Sequence, residues 1–309
     1  MQLIRGLHNL SEEHRGCALT IGNFDGVHLG HLEILKNLKK AADKLNLSSC
    51  IMSFEPLPME YFHLKNAPVR LHRIREKWTA LQSTEIDYFL CAKFNHQLAN
   101  LSANDFIENI LVNKLSIKYL LIGDDFRFGS KRCGDFETLQ KAGQQHGFEV
   151  QNSHSFCFEN ERISSTRIRR ALMQNQLQQA QQMLGRPYQI CGHIAHGDKR
   201  GRTIGFPTAN IKLHRHATAV HGVYAVRMTA DDNFSVRGVA NVGKRPTVNG
   251  QDLQLEVHLF DFDKEIYGKK VCVEFIHKIR DEKRFDSFDD LKQQIIKDSQ
   301  TAKDFFANN

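Results

Sequence analysis

Residues 17–31 read CALTIGNFDGVHLGH, and the fold of the first half turns on this stretch. Residues 17–21 are a short apolar run, the pattern of a buried strand, and Gly22 ends it. Residues 31–45 carry Leu32, Leu35, Leu38, Ala42 and Leu45 three or four apart, which predicts a helix. Between strand and helix lie Gly22, Gly26 and Gly30, which permit tight turns and close approach of backbone to a ligand. His28 and His31 are three apart and so share one side of a helix's first turn. That helix start offers unpaired N–H groups and a positive dipole end to a phosphate. By itself the stretch also fits an ordinary strand-to-helix turn with two surface histidines; its place at the junction favours the phosphate site.

Working outward, residues 50–54, 86–92 and 118–122 are further short apolar runs, with helical stretches such as 103–112 between them. Buried strands alternating with helices predict an α/β domain with a parallel, doubly wound sheet. The texture changes at 184–188 (LGRPY), where Gly185 and Pro187 break a helical stretch over 167–184. Strand-like segments follow at 188–193, 222–228, 235–242, 254–260 and 270–275, separated by Gly, Asn and Asp. They predict a small antiparallel β-barrel. Ser287 opens a terminal helix with Phe288, Leu291 and Ile295 on one face. The chain has 309 residues, and at roughly 150 residues per domain two domains are expected. We place them at 1–184 and 185–309.

The formal charge is +7, from 42 Lys/Arg against 35 Asp/Glu. Basic charge favours anionic partners such as nucleic acid, acidic lipid or nucleoside phosphates. The excess is +3 over residues 1–185 and +4 over 186–309, so neither half is a basic block, and this argues against nucleic acid. With 41% hydrophobic and 25% charged residues the composition is that of a globular chain. The seven cysteines are never closer than 24 residues apart, which excludes paired zinc motifs and reads as reduced thiols of a cytoplasmic protein. Residues 1–16 hold no apolar secretory core, and no apolar run approaches ~18 residues, so no membrane segment is expected.

The motif HxGH after a first strand is the nucleotidyltransferase signature, and GNFDGVHLGH resembles its form in prokaryotic FAD synthetases. SFEPLP at 53–58, DDFRFG at 124–129 and ISSTRIR at 163–169 resemble that family's motifs in the same order. The resemblance implies a Rossmann-like nucleotidyltransferase fold, with Gly22, Phe24, Gly30, Ser164, Ser165, Thr166 and Arg167 at the nucleotide. It implies that His28 and His31 bind phosphates and developing negative charge, and that Arg169 clamps the triphosphate. Arginine suits this because its planar fork donates two parallel hydrogen bonds. Asp125 is expected on the nucleotide or flavin side, and Phe126 and Phe128 either line a ring slot or pack in the core.

In the second half HGDKRGRTIGFPTAN spaces Gly197, Gly201 and Gly205 by four, among Lys199, Arg200 and Arg202. It is not a P-loop. GRTIGFPTAN resembles the PTAN motif of riboflavin kinases, and NVGKRPT (241–247), EVHLF (256–260) and Tyr267-Gly268 follow in family order. The resemblance implies Gly201, Thr208 and Asn210 at Mg-ATP, with Thr208 and Asn210 as oxygen donors to Mg²⁺, a hard cation. It implies Asn241, Gly243 and Arg280 at the flavin, and Glu256 as base toward the riboflavin 5′-hydroxyl if it points into a barrel mouth. Without the resemblance Glu256 reads as a surface residue of an edge strand.

Both motif sets together resemble the bacterial bifunctional riboflavin kinase/FMN adenylyltransferase family over nearly the whole chain. The implied chemistry is ATP-dependent phosphorylation of riboflavin to FMN, then adenylylation of FMN to FAD with release of pyrophosphate. Riboflavin, FMN, FAD and ATP are then the partners, Mg²⁺ comes with ATP, and no redox cofactor is tightly bound. A cytoplasmic monomer or weak oligomer is expected, with no nucleic-acid or membrane partner. Rival readings are a kinase with a repurposed transferase half and a basic nucleic-acid binder; the intact HxGH and ISSTRIR oppose the first and the even charge the second.

Overall fold

The computed structural model describes residues 1–63, 66–123, 125–153, 156–195, 206–213, 215, 217–230, 234–247 and 250–309. They form two compact units: Met1–Pro68 with His72–Ser165, and Val69–Leu71 with Thr166–Asn309.

In the first unit the elements run β1 (Gln2–Arg5), β2 (Ala18–Ile21), α1 (Leu29–Lys44), β3 (Ser49–Glu55), α2 (Pro58–Phe62), α3 (Ile74–Leu81), β4 (Tyr88–Lys93), α4 (His96–Ala99), α5 (Ala103–Phe106), β5 (Tyr119–Gly123), α6 (Phe136–His146) and β6 (Glu149–Ser153). Six parallel strands lie in the order β1-β4-β3-β2-β5-β6. Strand order reverses at β2, whose neighbours are β3 on one side and β5 on the other. In open α/β sheets ligands bind at the carboxyl ends of the strands at such a reversal. Each face of the sheet carries a core: Leu19, Met52, Leu90 and Leu120 on one, Ala18, Ile51, Phe89 and Leu121 on the other. That alternation along strands buried on both faces explains their unbroken apolar runs. Two strands lack such a run: β1 and β6 are the edges and keep exposed polar positions. The expected helix over 103–112 begins as α5 and continues over Ile107–Val112 as a wider π turn.

A two-stranded ribbon of β7 (Cys157–Phe158) and β8 (Glu161–Arg162) closes the first unit. The helical stretch over 167–184 is two helices, α7 (Ser165–Met173) and α8 (Leu177–Leu184). Asn175 between them takes φ 60°, a left-handed conformation that asparagine tolerates better than most residues. The second unit then forms a closed antiparallel barrel from β9 (Gln189–Ala195), β10 (Thr208–Lys212), β11 (Gly222–Ala230), β12 (Ser235–Thr247), β13 (Gly250–Leu259) and β14 (Lys270–Arg280), ordered β10-β13-β12-β11-β14-β9. Its interior is filled by Tyr224, Val226, Val242, Leu255, Val257, Val273 and Phe275, all about fully buried.

The terminal helix α9 (Phe288–Asn308) is capped by Ser287, whose hydroxyl accepts from the Asp290 amide at 3.1 Å. Its buried face differs from the expected one. Phe288 is 63% exposed, while Asp298, Ser299, Ala302 and Phe306 face the barrel. A further correction concerns the thiols. Barrel closure pairs β9 with β14 and sets Cys191 opposite Cys272. The two form a disulfide, with Cα atoms 4.0 Å apart, and the other five cysteines are outside any disulfide. The partners are 81 residues apart in sequence, so spacing alone does not reveal the pair.

Candidate active sites

The first constellation sits where β2 ends. His28 is the N-cap of α1: its Nδ1 accepts the His31 backbone N–H at 3.2 Å. The two imidazoles stack, with centroids 3.6 Å apart and planes 16° from parallel, and Phe24 packs on the His31 ring at 4.9 Å. Gly30 makes room for this stack, because a Cβ there would lie 3.2 Å from His28 Nδ1. Gly22 does the same for Phe24, whose ring would meet a Cβ at 3.1 Å. His31 Nδ1 is buried and has no hydrogen-bond partner among the described residues. Burial, reinforced by His28, Lys77, His72 and Arg162, holds the His31 pKa well below its ordinary 6.5. These neighbours make the pocket electropositive, and an orphaned ring nitrogen in it is a place for an anionic oxygen.

Ser165, at the start of α7, donates its hydroxyl to the Asp25 carbonyl at 2.8 Å and so ties ISSTRIR to the histidine loop. Ser164 is half-buried and Thr166 exposed. Arg167 is buried, and Arg169 is half-buried with its Nε donating to the Val69 carbonyl; both belong to the second unit. Asp125, just past β5, accepts from Arg162 Nη2 at 2.8 Å on the surface. Phe128 joins the core, 5.4 Å from Phe106, and Phe126 packs on it at 5.6 Å.

Sequence reasoning did not single out Arg162, His72 or Lys77 around His31. It also passed over an aromatic ledge at the carboxyl ends of β3 and β4. There Tyr61 and Phe62 meet Phe94 at 5.4 and 5.7 Å, Phe94 meets Phe54 at 5.7 Å, and Phe62 stays 57% exposed. The one available signal was the Tyr-Phe pair two residues past SFEPLP.

The second constellation is a rung of the barrel. In register, Asn210 on β10 faces Glu256 on β13, and Glu256 faces Asn241 on β12. Directly paired side chains lie on one face, roughly 5 Å apart at Cβ. The face is the outer one, a correction to the expected barrel mouth. Leu255 and Val257, on either side of Glu256, fill the interior. Asn241 is paired with Val223, which packs with Ala302 and Phe306 of α9 outside the barrel. Thr208 and Gln254 share the outer face by alternation, and Gln254 Nε2 donates to Asn210 Oδ1. PTAN is therefore a strand start: the Pro207 carbonyl lies 3.0 Å from His258 Nδ1, and Thr208 already pairs with His258.

Gly243 faces Gln254, and a Cβ on it would overlap the Glu282 carboxylate. Arg280 is engaged on the protein side. Its guanidinium grips Asp298 of α9 through three contacts of 3.0, 3.0 and 2.7 Å and donates to the Asp281 carbonyl at 2.9 Å. Gly201 and most of loop 197–206 lie outside the described residues.

Residues 10–167 match the family model described as FAD synthetase, and residues 184–306 the one described as riboflavin kinase. The chain is 56% identical to the bifunctional riboflavin kinase/FMN adenylyltransferase of Haemophilus influenzae, covering 99% of both chains. It is 50% identical to that of Escherichia coli over 99% of this chain and 98% of the other, and 46% identical to that of Pseudomonas fluorescens over 98% and 97%. A solved Streptococcus pneumoniae structure named as a macrolide-efflux protein superposes with a TM-score of 0.81 at 30% identity, covering 98% of this chain and 99% of that one. Among the described residues no helix is long and apolar enough to cross a membrane.

Proposed function

The chain belongs to the bacterial bifunctional riboflavin kinase/FMN adenylyltransferases, and from that premise we propose which of its residues carry each reaction. It phosphorylates riboflavin to FMN with ATP and adenylylates FMN to FAD. We keep the functional division at 1–184 and 185–309.

In adenylyl transfer a phosphate oxygen of FMN bonds to the α-phosphorus of ATP, and the α–β bridging bond breaks to release pyrophosphate. Neither step needs a covalent enzyme intermediate, so positioning and charge stabilisation carry the reaction. We assign the triphosphate to the start of α1, with His28, His31, Gly22, Phe24 and Gly30 around it. The single observation that carries this is the buried, unpartnered His31 Nδ1 at a helix N-terminus. Ser165 holds the loop through Asp25. Ser164, Thr166, Arg167 and Arg169 we assign to the nucleotide by the resemblance of ISSTRIR alone. The ledge of Tyr61, Phe62 and Phe94, whose rings meet edge to face at the carboxyl ends of β3 and β4, offers an exposed apolar surface that suits a flavin ring, and Asp125 we assign to the nucleotide or flavin side.

In the kinase step the riboflavin 5′-hydroxyl oxygen bonds to the γ-phosphorus, ADP leaves, and the hydroxyl proton passes to Glu256. The rung Asn210–Glu256–Asn241 supports this assignment, because it sets a carboxylate between two amides on an open face. Thr208 and Asn210 offer neutral oxygens to a hard cation. No cluster of three His, Cys, Asp or Glu stands among the described residues. These donors fit Mg²⁺ arriving with ATP phosphates as its other ligands. When bound, that ion would neutralise charge on the transferring phosphate. Asn241 and Gly243 we assign to the flavin, Gly201 to ATP, and Arg280 to seating α9 beside the flavin. We place the enzyme in the cytoplasm, where ATP is made, as a monomer or weak oligomer.

Chromatographic separation of flavins tests the assignment. His31→Ala is expected to form FMN from riboflavin but to lose FAD formation by about 100-fold or more. Glu256→Gln is expected to lose riboflavin phosphorylation by about 10²–10⁴-fold and still convert supplied FMN to FAD. Normal FMN formation by Glu256→Gln would remove it as the base.

A further inference from the structure

Lys77 is buried far beyond the habit of its residue type. It lies on α3 with 1% of its surface exposed. Its Nζ donates to the Asn23 carbonyl at 2.6 Å and to the Ser53 hydroxyl at 3.1 Å. Ser53 in turn donates to the same Asn23 carbonyl at 3.2 Å. The three groups close a triangle beneath the first turn of GNFDGVHLGH. Sealing an ammonium in a protein interior is costly, and an unbranched apolar side chain of similar length fills the same space without that cost. A fold with no use for the charge has no reason to keep it there.

The loop above supplies the use. Phe24 takes φ 46° and Val27 φ 41°, both left-handed, and for a β-branched residue that conformation is strained. Such strain persists only where the surroundings over-determine it, and it gathers at functional sites. Here the loop is held from three sides. Lys77 and Ser53 fix Asn23, the Ser165 hydroxyl fixes the Asp25 carbonyl at 2.8 Å, and the His72 N–H fixes Asp25 Oδ1 at 2.9 Å. The residue after Val27 is His28, the cap that carries the imidazole stack.

We propose that Lys77 is a positioning residue for adenylyl transfer: its buried ammonium anchors the Asn23 carbonyl and so holds residues 23–27 in the strained conformation that presents His28 and His31 at the start of α1. The inference rests on the reading of that loop as the ATP site. Lys77 acts through the loop and touches no reacting atom. The charge also adds to the positive surroundings of His31.

Three variants of the full chain separate this role from packing. Lys77→Met fills the space without the charge, and Lys77→Arg keeps the charge but overfills the space. Packing alone ranks Met above Arg; anchoring ranks Arg above Met. Lys77→Met is expected to lower kcat/KM for ATP in FMN adenylylation about 100-fold, as small misplacements of reacting groups do. Its riboflavin kinase activity, assayed below the Tm of the variant, should match the wild type. Lys77→Arg is expected within about tenfold of wild type. If Lys77→Met fails to fold, Ser53→Ala decides: it removes two hydrogen bonds of the triangle and is expected to cost adenylylation roughly 5- to 150-fold. His31→Ala is run alongside. If it adenylylates FMN normally, the ATP-site reading itself falls. If it is inactive while folded Lys77→Met works normally, or Met outranks Arg, or Ser53→Ala shows no loss, the Lys77 inference is overturned and the site reading stands.

Discussion

Replacing Asp298 with Asn should unseat the terminal helix, and the size of the effect follows from the geometry around Arg280. The guanidinium is 15% exposed and its carboxylate partner 5%, with three contacts between them. Gln294 adds a fourth contact to the carboxylate, donating from Nε2 at 2.8 Å. Removing one charge from a buried pair costs about 3–5 kcal/mol, because the other charge is left uncompensated. The guanidinium keeps its bond to the Asp281 carbonyl and some water, so roughly 2–3 kcal/mol is expected here. In a unit of about 150 residues that lowers the melting temperature by roughly 4–12 °C. Calorimetry of the full chain measures it, and FMN adenylylation below the transition should be unchanged. Riboflavin phosphorylation should suffer, because Arg280 shares the outer face with Asn241 and Glu256, one strand removed from Asn241 across Val223 of β11. The pair Arg280→Met with Asp298→Leu should recover much of the loss, since an apolar pair of similar volume often replaces a buried ion pair without cost. A melting temperature for Asp298→Asn within about 1 °C of wild type would refute the reasoning, since it equates to well under 1 kcal/mol.

Two further outcomes follow from single groups. Because His31 is held well below 6.5 in the fold, the unfolded chain takes up the proton first as pH falls. The stability it supports is complete above about 6.5 and is lost as pH drops from there toward the folded value. Urea unfolding of wild type should weaken more steeply below that pH than His31→Gln; parallel curves would contradict the buried, neutral imidazole. The barrel-closing pair predicts that alkylation of unfolded, unreduced protein labels five cysteines and that prior reduction raises this to seven. Seven without reductant would show Cys191 and Cys272 to be thiols.

How much of the fold was legible depended on how burial writes itself into sequence. Strands β2 to β5 are covered on both faces, so each appears as an apolar run, and the helix after Gly30 shows its spacing. The edges β1 and β6 bury too little to leave such a mark. PTAN carries a proline and an asparagine, both turn residues. Its pairing with β13 and β9 is tertiary, and that pairing makes it a strand. The terminal helix misled for a related reason. Phe288 fits the periodic stripe, yet the face that meets the barrel is set by Asp298, whose partner Arg280 is a charge on another strand.

The same logic explains which site residues could be read. His28 and His31 act together through a spacing of three on one helix, which sequence displays directly. Thr208, Asn210, Asn241 and Glu256 are brought to one face by strand pairing, so they were legible only as family motifs. Lys77 was not legible at all. On α3 the spacing sets position 77 on the inner face with Ile74, Trp78 and Leu81, but lysine as a residue type reads as solvent-facing. Its burial depends on a carbonyl 54 residues away, at Asn23. Where a local rule fails in this way, the failure itself is informative, because a polar group kept inside against its solvation needs a compensating task. In this chain several such violations meet at one loop: a buried lysine, two left-handed non-glycine residues and a ring nitrogen without a hydrogen-bond partner come together at residues 23–31.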